Sequence, residues 1–446
     1  MRSYDFLNRF FFKFLLMKID QLHQLFLQCK GITTDTRSVK TGQLFFALKG
    51  DNFNGNNFAL HAINKGAGYA IIDEEKYARN ERFILVNNVL ETLQQLAGFH
   101  RKHLNIPILA ITGSNGKTTT KELIHTVLKK RYETVATVGN LNNHIGVPLT
   151  LLSMKSSTEF GIVEMGANHP GEIKILCEIA TPDYGYITNF GKAHLEGFGS
   201  IEGVIKAKSE LYHYIKDNKG VLFLNDDDPI QSNHSAYENS FSFGTTKIAD
   251  IKVEYINDAP TARVKIENYL YKSTLTGSYN AVNIAAAVSI GQYFKINENS
   301  INQAIASYVP SNNRSQIIKL GALCLIMDAY NANPTSMMAA LDSFEKNPAQ
   351  EKMVILGDMF ELGITSHQEH QYVVSVLEKM QLDKIFLVGS NFFKTQTHQS
   401  NIYKFETFAE LSDALKANKP RTGHILIKGS RGMALERVLD VIKEKK

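Results

Sequence analysis

A glycine-containing segment with one lysine and four threonines is the strongest chemical signal in this sequence. Residues 112–120 read TGSNGKTTT, a GxxGKT loop shorter than the usual GxxxxGK[ST] phosphate-binding motif. Gly113 and Gly116 permit a close approach of backbone N–H groups to phosphate oxygens. Lys117 would neutralise the β- and γ-phosphates of a nucleotide, and the Thr118 hydroxyl would reach a Mg²⁺ ion. The segment therefore predicts a nucleotide phosphate site.

The elements around this loop support that interpretation. An apolar strand, Pro107–Thr112, leads into it, and a helical pattern, Thr118–Lys130, follows directly. This order places the positive end of the helix against the phosphates. A glycine-containing turn before an ordinary helix is the less favoured alternative.

Three further side chains are candidates for a site beside the loop. Glu164 closes a second predicted strand, Phe160–Met165, and a carboxylate at such a strand end lies where the Mg²⁺ of a nucleotide would lie. Taken singly, His194 is more typical of a structural histidine and Lys208 of a solvated surface lysine.

Strands and helices alternate through the middle and the end of the chain, which predicts an α/β fold with parallel sheets. The remaining predicted elements of the middle part are strands at Tyr184–Thr188 and Val221–Leu224, helices at Gly171–Ile179, Ile201–Ile215 and Ala281–Gln292, and an antiparallel patch at Ile251–Tyr255 and Ala262–Ile266. The third part repeats the rhythm with strands at Leu323–Asp328, Met353–Leu356, Lys384–Val388 and His424–Ile427. We predict an N-terminal extension (1–16) and three domains (17–105, 106–309 and 310–446).

Length and composition bound the function. A chain of 446 residues is too long for one ordinary core, and its 43% hydrophobic and 21% charged residues are typical of a globular protein. The net charge of +5 is spread without a basic block, so nucleic acid is not an expected partner. Three distant cysteines predict neither disulfides nor structural zinc and fit a reducing cytoplasm. No segment after the N-terminus reaches the roughly 18 apolar residues of a membrane span.

Eight separate motifs, in order along the chain, resemble those of the Mur ligases. They are TDTRSVKTGQLFFALKG (34–50), ITGSNGKTTTKE (111–122), GNLNNHIGVPLTLL (139–152), EMGANHPGEI (164–173), NFGKAHLEGFGS (189–200), DAYNANPTSM (328–337), LGDMFELG (356–363) and KGSRGMALERV (428–438). The resemblance covers nearly the whole chain after the N-terminal extension. Within the family it is closest to the members that add D-alanyl-D-alanine.

The resemblance implies a domain for the UDP-sugar, a central P-loop ATPase-type domain with a parallel sheet, and a C-terminal Rossmann-like domain. It implies an ATP-dependent ligase of peptidoglycan precursor synthesis, cytoplasmic and expected to act as a monomer on small molecules. ATP would phosphorylate the carboxylate of UDP-N-acetylmuramoyl-tripeptide, and the amine of D-alanyl-D-alanine would attack the acyl phosphate. A carboxylate needs such a leaving group before an amine can displace it, so catalysis would be mainly positioning and charge neutralisation.

Residue roles follow from the same resemblance. Lys117, His194 and Lys208 are implied as catalytic, with Thr118 and Glu164 as ligands of one Mg²⁺ and His194 as a ligand of a second. Lys208 stands at the family's carbamylated lysine, where captured CO₂ makes the side chain anionic. The implied ATP contacts are Gly113, Ser114, Asn115, Gly116, Lys117, Thr118, Thr119, Asn283, Arg314, Asp328, Tyr330, Asn331 and Asn333. The implied UDP-sugar contacts are Asp35, Thr36, Arg37 and Asn143. Thr36 replaces the family's usual serine and keeps the hydroxyl, whereas His144 replaces an acidic residue.

Other readings explain fewer of these features. A tripeptide-forming Mur ligase would be expected to show a DNPR-type motif, and an alanine-adding one a glycine-rich N-terminal fingerprint. Folylpolyglutamate synthetases share the phosphate loop but not AHLEGFGS or DAYNANP, and a generic P-loop kinase or motor ATPase leaves the first and third domains unexplained. A nucleotide-binding module without catalysis would not need Lys117, Glu164, His194 and Lys208 together.

The segment before Met17 generates a first prediction. It reads FFFKFLL at residues 10–16, interrupted by Lys13, and it lies outside the resemblance. We expect a chain that begins at Met17 to fold and to work normally, as measured by its melting temperature and its rate of ATP-dependent turnover beside the full chain. A large loss of either on truncation would contradict this expectation.

Overall fold

The computed structural model describes residues 17–256 and 261–443, so the predicted extension at residues 1–16 lies outside the described residues. The described chain forms two compact units. The first takes in the residues as far as Ala110, together with Tyr132–Gly166 and Glu172–Tyr184. The second takes in Ile111–Arg131, Ala167–Gly171 and the chain from Gly185 onward.

The elements of the first half of the chain alternate between strands and helices. In order they are α1 (Ile19–Gln28), β1 (Ile32–Thr33), β2 (Leu44–Phe46), β3 (Lys49–Gly50), β4 (Phe53–Asn54), α2 (Ala59–Asn64), β5 (Tyr69–Ile72), β6 (Phe83–Leu85), α3 (Val89–Leu104), β7 (Ile108–Thr112), α4 (Lys117–Leu128), β8 (Thr134–Ala136), α5 (Gly146–Ser153), β9 (Phe160–Glu164), α6 (Glu172–Ala180), β10 (Tyr184–Ile187), α7 (Leu195–Phe198), α8 (Ile201–Asp217) and β11 (Val221–Asn225).

The second half continues the alternation. Its elements are α9 (Pro229–Ser232), β12 (Ser240–Gly244), β13 (Ile251–Ile256), β14 (Arg263–Ile266), β15 (Tyr269–Lys272), α10 (Tyr279–Tyr293), α11 (Glu298–Ser307), β16 (Gln316–Leu320), β17 (Leu323–Asp328), α12 (Pro334–Glu345), β18 (Lys352–Gly357), α13 (Ser366–Leu377), β19 (Lys384–Val388), α14 (Ser390–Phe393), β20 (Ile402–Phe405), α15 (Phe408–Ala417), β21 (Gly423–Lys428) and α16 (Val438–Lys443). None of the helices between residues 17 and 443 is long and apolar enough to cross a membrane.

The first unit contains a small parallel sheet in the order β1-β2-β5-β6. All three residues of β2 are buried, as expected for a strand covered on both faces. Helix α3 follows β6 and begins at Asn88, whose side chain accepts a hydrogen bond from the N–H of Glu91. It ends at Asn105, which adopts the left-handed conformation that terminates many helices. Strands β8 and β9 also pair in parallel in this unit.

The second unit contains strands β11 to β15, of which β11, β12 and β13 are parallel and β13, β14 and β15 antiparallel. Helix α10 is rich in alanine and buries most of its residues, because small apolar side chains let it pack on all sides. Strands β7 and β10 begin in the first unit and end in the second. Both end beside the segments that hold the candidate site.

The C-terminal part of the second unit has a six-stranded sheet in the order β16-β17-β21-β18-β19-β20. Its strands are parallel except β16, which pairs antiparallel at the edge. One face packs in a core with α12 and α13, and the opposite face packs with α15 and α16. Helices on both faces of a parallel sheet are the Rossmann-like arrangement that the family resemblance implies.

The sequence predicts the buried strands within two residues, among them β7, β9, β17 and β19. It misses β1, β3, β4, β6, β8, β12, β15, β16 and β20. Strand β16 alternates partly buried and exposed residues, which gives no continuous apolar run, and it lies at the edge of its sheet. Short strands of this kind depend on their neighbours more than on their own sequence.

Two buried histidines join α1 to α3 in the first unit. His100 Nε2 lies 3.0 Å from the carbonyl oxygen of Met154 and must donate to it, so His100 Nδ1 is an acceptor. His23 Nε2 lies 3.0 Å from His100 Nδ1 and is its donor. Burial favours the neutral form of both rings, with the single proton of each on Nε2. Burial, and then the nearby His100 and His103, lowers the pKa of His23 to about 4.

This pair predicts that stability depends on pH. Since the folded-state pKa of His23 lies below its ordinary value of 6.5, the unfolded chain takes up a proton first as the pH falls. The stabilisation is complete above pH 6.5 and is lost between pH 6.5 and 4, by about 1–3 kcal/mol. Urea unfolding of wild type and of His23→Leu across this range measures the difference. The exposed His61 on α2 supplies a control, His61→Gln, which should keep the wild-type slope. An equal slope in His23→Leu would contradict the assignment.

Candidate active site

The phosphate loop lies between buried strand β7 and helix α4. All five residues of β7 are buried, and α4 begins directly after Gly116. Gly113 has φ 138° and Gly116 has φ 79°, conformations that side chains disfavour. A Cβ at position 113 would overlap Thr188 Oγ1, and one at position 116 would lie 2.8 Å from Asn283 Oδ1. Both predicted glycines are therefore required by the local packing.

Residues 188–191, which follow β10, form hydrogen bonds with the phosphate loop. The carbonyl oxygen of Asn189 accepts from Ser114 N at 3.0 Å, and its side-chain oxygen accepts from Asn115 N at 3.0 Å. Thr188 Oγ1 and Asn189 Nδ2 both donate to the carbonyl oxygen of Asn115, at 2.6 and 3.0 Å. Ser114 Oγ and Gly191 exchange two further hydrogen bonds of 2.9 Å. Such a network fixes the loop before any ligand arrives.

Lys117 points back into the loop. Its Nζ donates to the carbonyl oxygens of Gly113 at 2.6 Å and of Ser114 at 3.3 Å. Thr118 and Thr119 follow on the first turn of α4 and are both buried. The lysine and the helix start therefore converge at the predicted phosphate site.

Asn283 lies on α10 and packs against the loop at Gly116. Its side-chain oxygen accepts from Thr120 Oγ1 at 3.0 Å, and its Nδ2 donates to Asn280 Oδ1 at 2.9 Å. The residue is buried against Gly116. These contacts support the loop, and the implied contact of Asn283 with a nucleotide stays a prediction.

Residues from the DAYNANP motif approach the same loop. Asn333 Nδ2 donates to Asn115 Oδ1 at 2.8 Å, while Asn333 Oδ1 accepts from Ser336 N at 2.9 Å and caps helix α12. Asn331, two residues earlier, is exposed. Asn333, a predicted nucleotide contact from the C-terminal part, therefore bonds directly to the phosphate loop.

Arg314, Asp328 and Tyr330 form a second group of predicted nucleotide contacts. The Arg314 guanidinium lies 3.7 Å from the centre of the Tyr330 ring, a cation–π arrangement. Asp328 accepts from Ser315 N at 3.0 Å and from Lys428 Nζ at 2.6 Å. Lys428 is buried, so the carboxylate neutralises a charge that would otherwise be costly there.

His194 begins the short helix α7 in a left-handed conformation with φ 53°. Its Nδ1 faces the carboxylate of Glu361, which comes from the LGDMFELG motif. The hydrogen bond from His194 lowers the pKa of the Glu361 carboxyl group. A carboxylate bound to one ring nitrogen leaves the other nitrogen of His194 available for a ligand.

Lys208 is buried on α8, contrary to the usual exposure of a lysine. Its Nζ donates to the carbonyl oxygen of Ala167 at 3.2 Å and lies 5.1 Å from the centre of the Phe198 ring. The His194 ring meets the same Phe198 ring edge-on at 6.4 Å. One phenylalanine therefore contacts both residues predicted for a second cation.

The other predicted site residues belong to the first unit. Glu164 ends β9, is 2% exposed and accepts from Asn142 Nδ2 at 2.8 Å. Asp35 binds Arg37 through both carboxylate oxygens, and the hydrogen bonds from Arg37 lower the pKa of Asp35 to about 2. The carbonyl oxygen of Thr36 accepts from Lys65 Nζ at 3.1 Å. The side-chain oxygen of Asn143, just before α5, accepts from Ile145 N and Gly146 N.

Three polar residues of this site, Asn189, Glu361 and Glu369, have no role that the sequence alone predicts. Each lies in or near a quoted motif, but its partner is distant in the chain. Glu369 is 8% exposed and accepts from Lys192 Nζ at 2.6 Å, while Lys192 N donates to Thr335 Oγ1 at 2.9 Å. Only the folded chain brings these partners together.

Comparisons with known proteins agree with this arrangement. Three family models match: Mur ligase family, catalytic domain (residues 28–101), Mur ligase middle domain (111–291) and Mur ligase, glutamate ligase domain (313–431). They follow the order of the three predicted domains, whose boundaries stay predictions.

Relatives and solved structures match over nearly the full length. The chain is 34% identical to the UDP-N-acetylmuramoyl-tripeptide–D-alanyl-D-alanine ligase of Bacillus subtilis, over 92% of each chain. It is 31% identical to the ligase of the same name in Escherichia coli, over 93% of this chain and 94% of that one. The crystal structure of MurF from Acinetobacter baumannii matches with a TM-score of 0.83 at 30% identity, over 96% of this chain and 99% of that one. That of MurF from Thermotoga maritima in complex with ADP matches with a TM-score of 0.82 at 26% identity, over 93% and 97%. On these matches, the chain belongs to the Mur ligase family.

Proposed function

We propose that this protein joins D-alanyl-D-alanine to UDP-N-acetylmuramoyl-tripeptide and converts ATP to ADP and phosphate in doing so. The observation that carries the proposal is the contact of Asn333 with Asn115, which brings the C-terminal motif to the phosphate loop. The names of the relatives from Bacillus subtilis and Escherichia coli supply the two substrates. A nucleotide-binding module without catalysis would not need the buried Lys208 and the His194–Glu361 pair.

The reaction balances in two steps. An oxygen of the tripeptide carboxylate attacks the γ-phosphorus of ATP, the bond to the β-phosphate oxygen breaks, and ADP leaves with that electron pair. The amine of D-alanyl-D-alanine, having lost one proton, then attacks the acyl phosphate carbonyl. The tetrahedral intermediate loses a second proton from nitrogen, and its bond to the phosphate oxygen breaks. Inorganic phosphate leaves with that electron pair and takes up a proton, and an amide remains.

The residues of this chain act mainly by position and charge. The backbone N–H groups at the start of α4 bind the phosphates, and Lys117 exchanges its two loop carbonyl partners for phosphate oxygens. The stacked Arg314 and Tyr330 offer a flat surface for the adenosine part. In the first unit, Asp35, Thr36, Arg37 and Asn143 are the proposed contacts of the UDP-sugar.

The cation ligands that we propose are those implied by the family resemblance. They are Thr118 and Glu164 for one Mg²⁺, which prefers oxygen ligands, and His194 with a carbamylated Lys208 for the other. Bound there, Mg²⁺ would neutralise negative charge on the phosphates. An unmodified lysine would repel such a cation, whereas a carbamate supplies an anionic oxygen.

A change at Lys117 tests the proposed reaction directly. Lys117→Ala should lower amine-dependent phosphate release by about 100-fold, because the charge on the transferred phosphoryl group loses its fixed counter-charge. The assay contains ATP and UDP-N-acetylmuramoyl-tripeptide, with and without D-alanyl-D-alanine. Lys129→Ala, at the exposed end of the same helix, should keep the wild-type rate. If the rate of phosphate release by the wild-type enzyme is the same with and without D-alanyl-D-alanine, the ligase proposal is refuted.

The burial of Lys208 supports the proposal that this lysine is carbamylated. The side chain is 1% exposed, and burial disfavours a charged amine relative to the neutral amine that combines with CO₂. The aromatic ring of Phe198 and the carbonyl oxygen of Ala167 surround the amine. The same helix carries Lys206, which is exposed and makes a matched control.

We expect Lys208→Ala to lose about 100-fold or more of its turnover and to regain part of it with short-chain carboxylates, which replace the missing anion. Lys206→Ala should be unchanged. Carbon-13 NMR of the enzyme in ¹³C-bicarbonate should show a carbamate signal that Lys208→Ala lacks. Near-normal turnover of Lys208→Ala in bicarbonate-free buffer would rule the modification out as a requirement.

A further inference from the structure

The contact between His194 and Glu361 joins two segments that are 167 positions apart in the chain. Both residues adopt the left-handed backbone conformation, with φ 53° at His194 and φ 62° at Glu361. That conformation is unfavourable for residues other than glycine and persists where surrounding contacts maintain it. Two such residues in side-chain contact indicate a built arrangement rather than a chance surface pair.

Backbone contacts hold the two segments in register. Glu196 N donates to the carbonyl oxygen of Glu361 at 3.1 Å. His194 O accepts from Gly197 N and Phe198 N, both at 3.1 Å, and so starts the short helix α7. Between them, Leu195 packs against the core of the C-terminal sheet and its helices α12 and α13. The position of His194 is therefore set by residues of the C-terminal part.

The side-chain contact also selects one protonation form of the ring. Glu361 approaches Nδ1, and a carboxylate accepts, so the proton of a neutral His194 ring stays on Nδ1. The lone pair is then on Nε2. A histidine that donates one N–H to a carboxylate and binds a metal through its other nitrogen is a recurrent arrangement, in which the carboxylate fixes the ring and raises its basicity.

We propose that Glu361 is a positioning residue that orients His194 and keeps its Nε2 lone pair available to a divalent cation. The inference rests on the proposed function for the identity of that cation. The inference goes beyond the proposed function because it makes the cation site depend on a residue of the C-terminal part. Lys192 and Glu369 form a second side-chain contact nearby and help to hold the same segment, without touching the ring.

The test uses two variants of Glu361 in the full chain. Glu361→Ala removes the acceptor, and Glu361→Gln keeps an acceptor oxygen without the charge. Glu196→Gln is the matched control, because its exposed side chain carries the same charge and its backbone N–H is retained. Nitrogen-15 NMR of the metal-free protein reports the tautomer of His194, and electron paramagnetic resonance with Mn²⁺ reports cation affinity in the presence of ADP.

We expect wild type and Glu196→Gln to show the Nδ1–H tautomer. Glu361→Ala should show mixed tautomers and an affinity for Mn²⁺ that is lower by about 10- to 100-fold, and Glu361→Gln should lie between. A melting temperature shows whether each variant folds. If Glu361→Ala does not fold, Glu361→Gln with both wild-type tautomer and wild-type Mn²⁺ affinity overturns the proposal. If Glu361→Ala folds with both properties unchanged, the proposal is also overturned. The tautomer is measured without substrates, so failure of the ligase assay leaves that result standing.

Discussion

The phosphate loop depends on one close approach, that of Gly113 to Thr188. No side chain fits between them. The neighbouring Asn189 accepts from the N–H groups of Ser114 and Asn115 and donates to the carbonyl oxygen of Asn115. Because buried polar groups without partners are costly, this network fixes the loop conformation. The glycine is thus needed for the strand end beside it as much as for a ligand.

The same stretch of chain that holds the loop continues to the rest of the site. Gly191 bonds to Ser114, Lys192 to Glu369, and His194 to Glu361 within six residues of Thr188. One short segment therefore touches the phosphate loop on one side and the C-terminal part on the other. A displacement of this segment would change both sets of contacts together, which is how packed elements transmit a shift.

The sequence predicted the loop, the buried strands and the α/β class because each is encoded locally. A GxxGKT loop between an apolar strand and a helix requires no knowledge of distant partners, and continuous apolar runs mark buried parallel strands. Lys208 could not be distinguished by its sequence from a surface lysine, since its burial comes from Phe198 and Ala167. Glu361 and Glu369 were missed for the same reason, because their partners are more than 160 positions away. Residue roles taken from family resemblance stay predictions where no contact bears on them.

The side chain of Asn333 performs two tasks with its two ends. Its oxygen caps α12 through Ser336, and its nitrogen reaches Asn115 of the loop. Aspartate or serine could perform the first task but neither offers the amide donor, and glutamine is too long to cap in the same way. Of these residues only asparagine meets both requirements, even though helix stability alone would accept several. A family member with aspartate at this position would keep the cap of the helix but would lose the hydrogen bond to the loop.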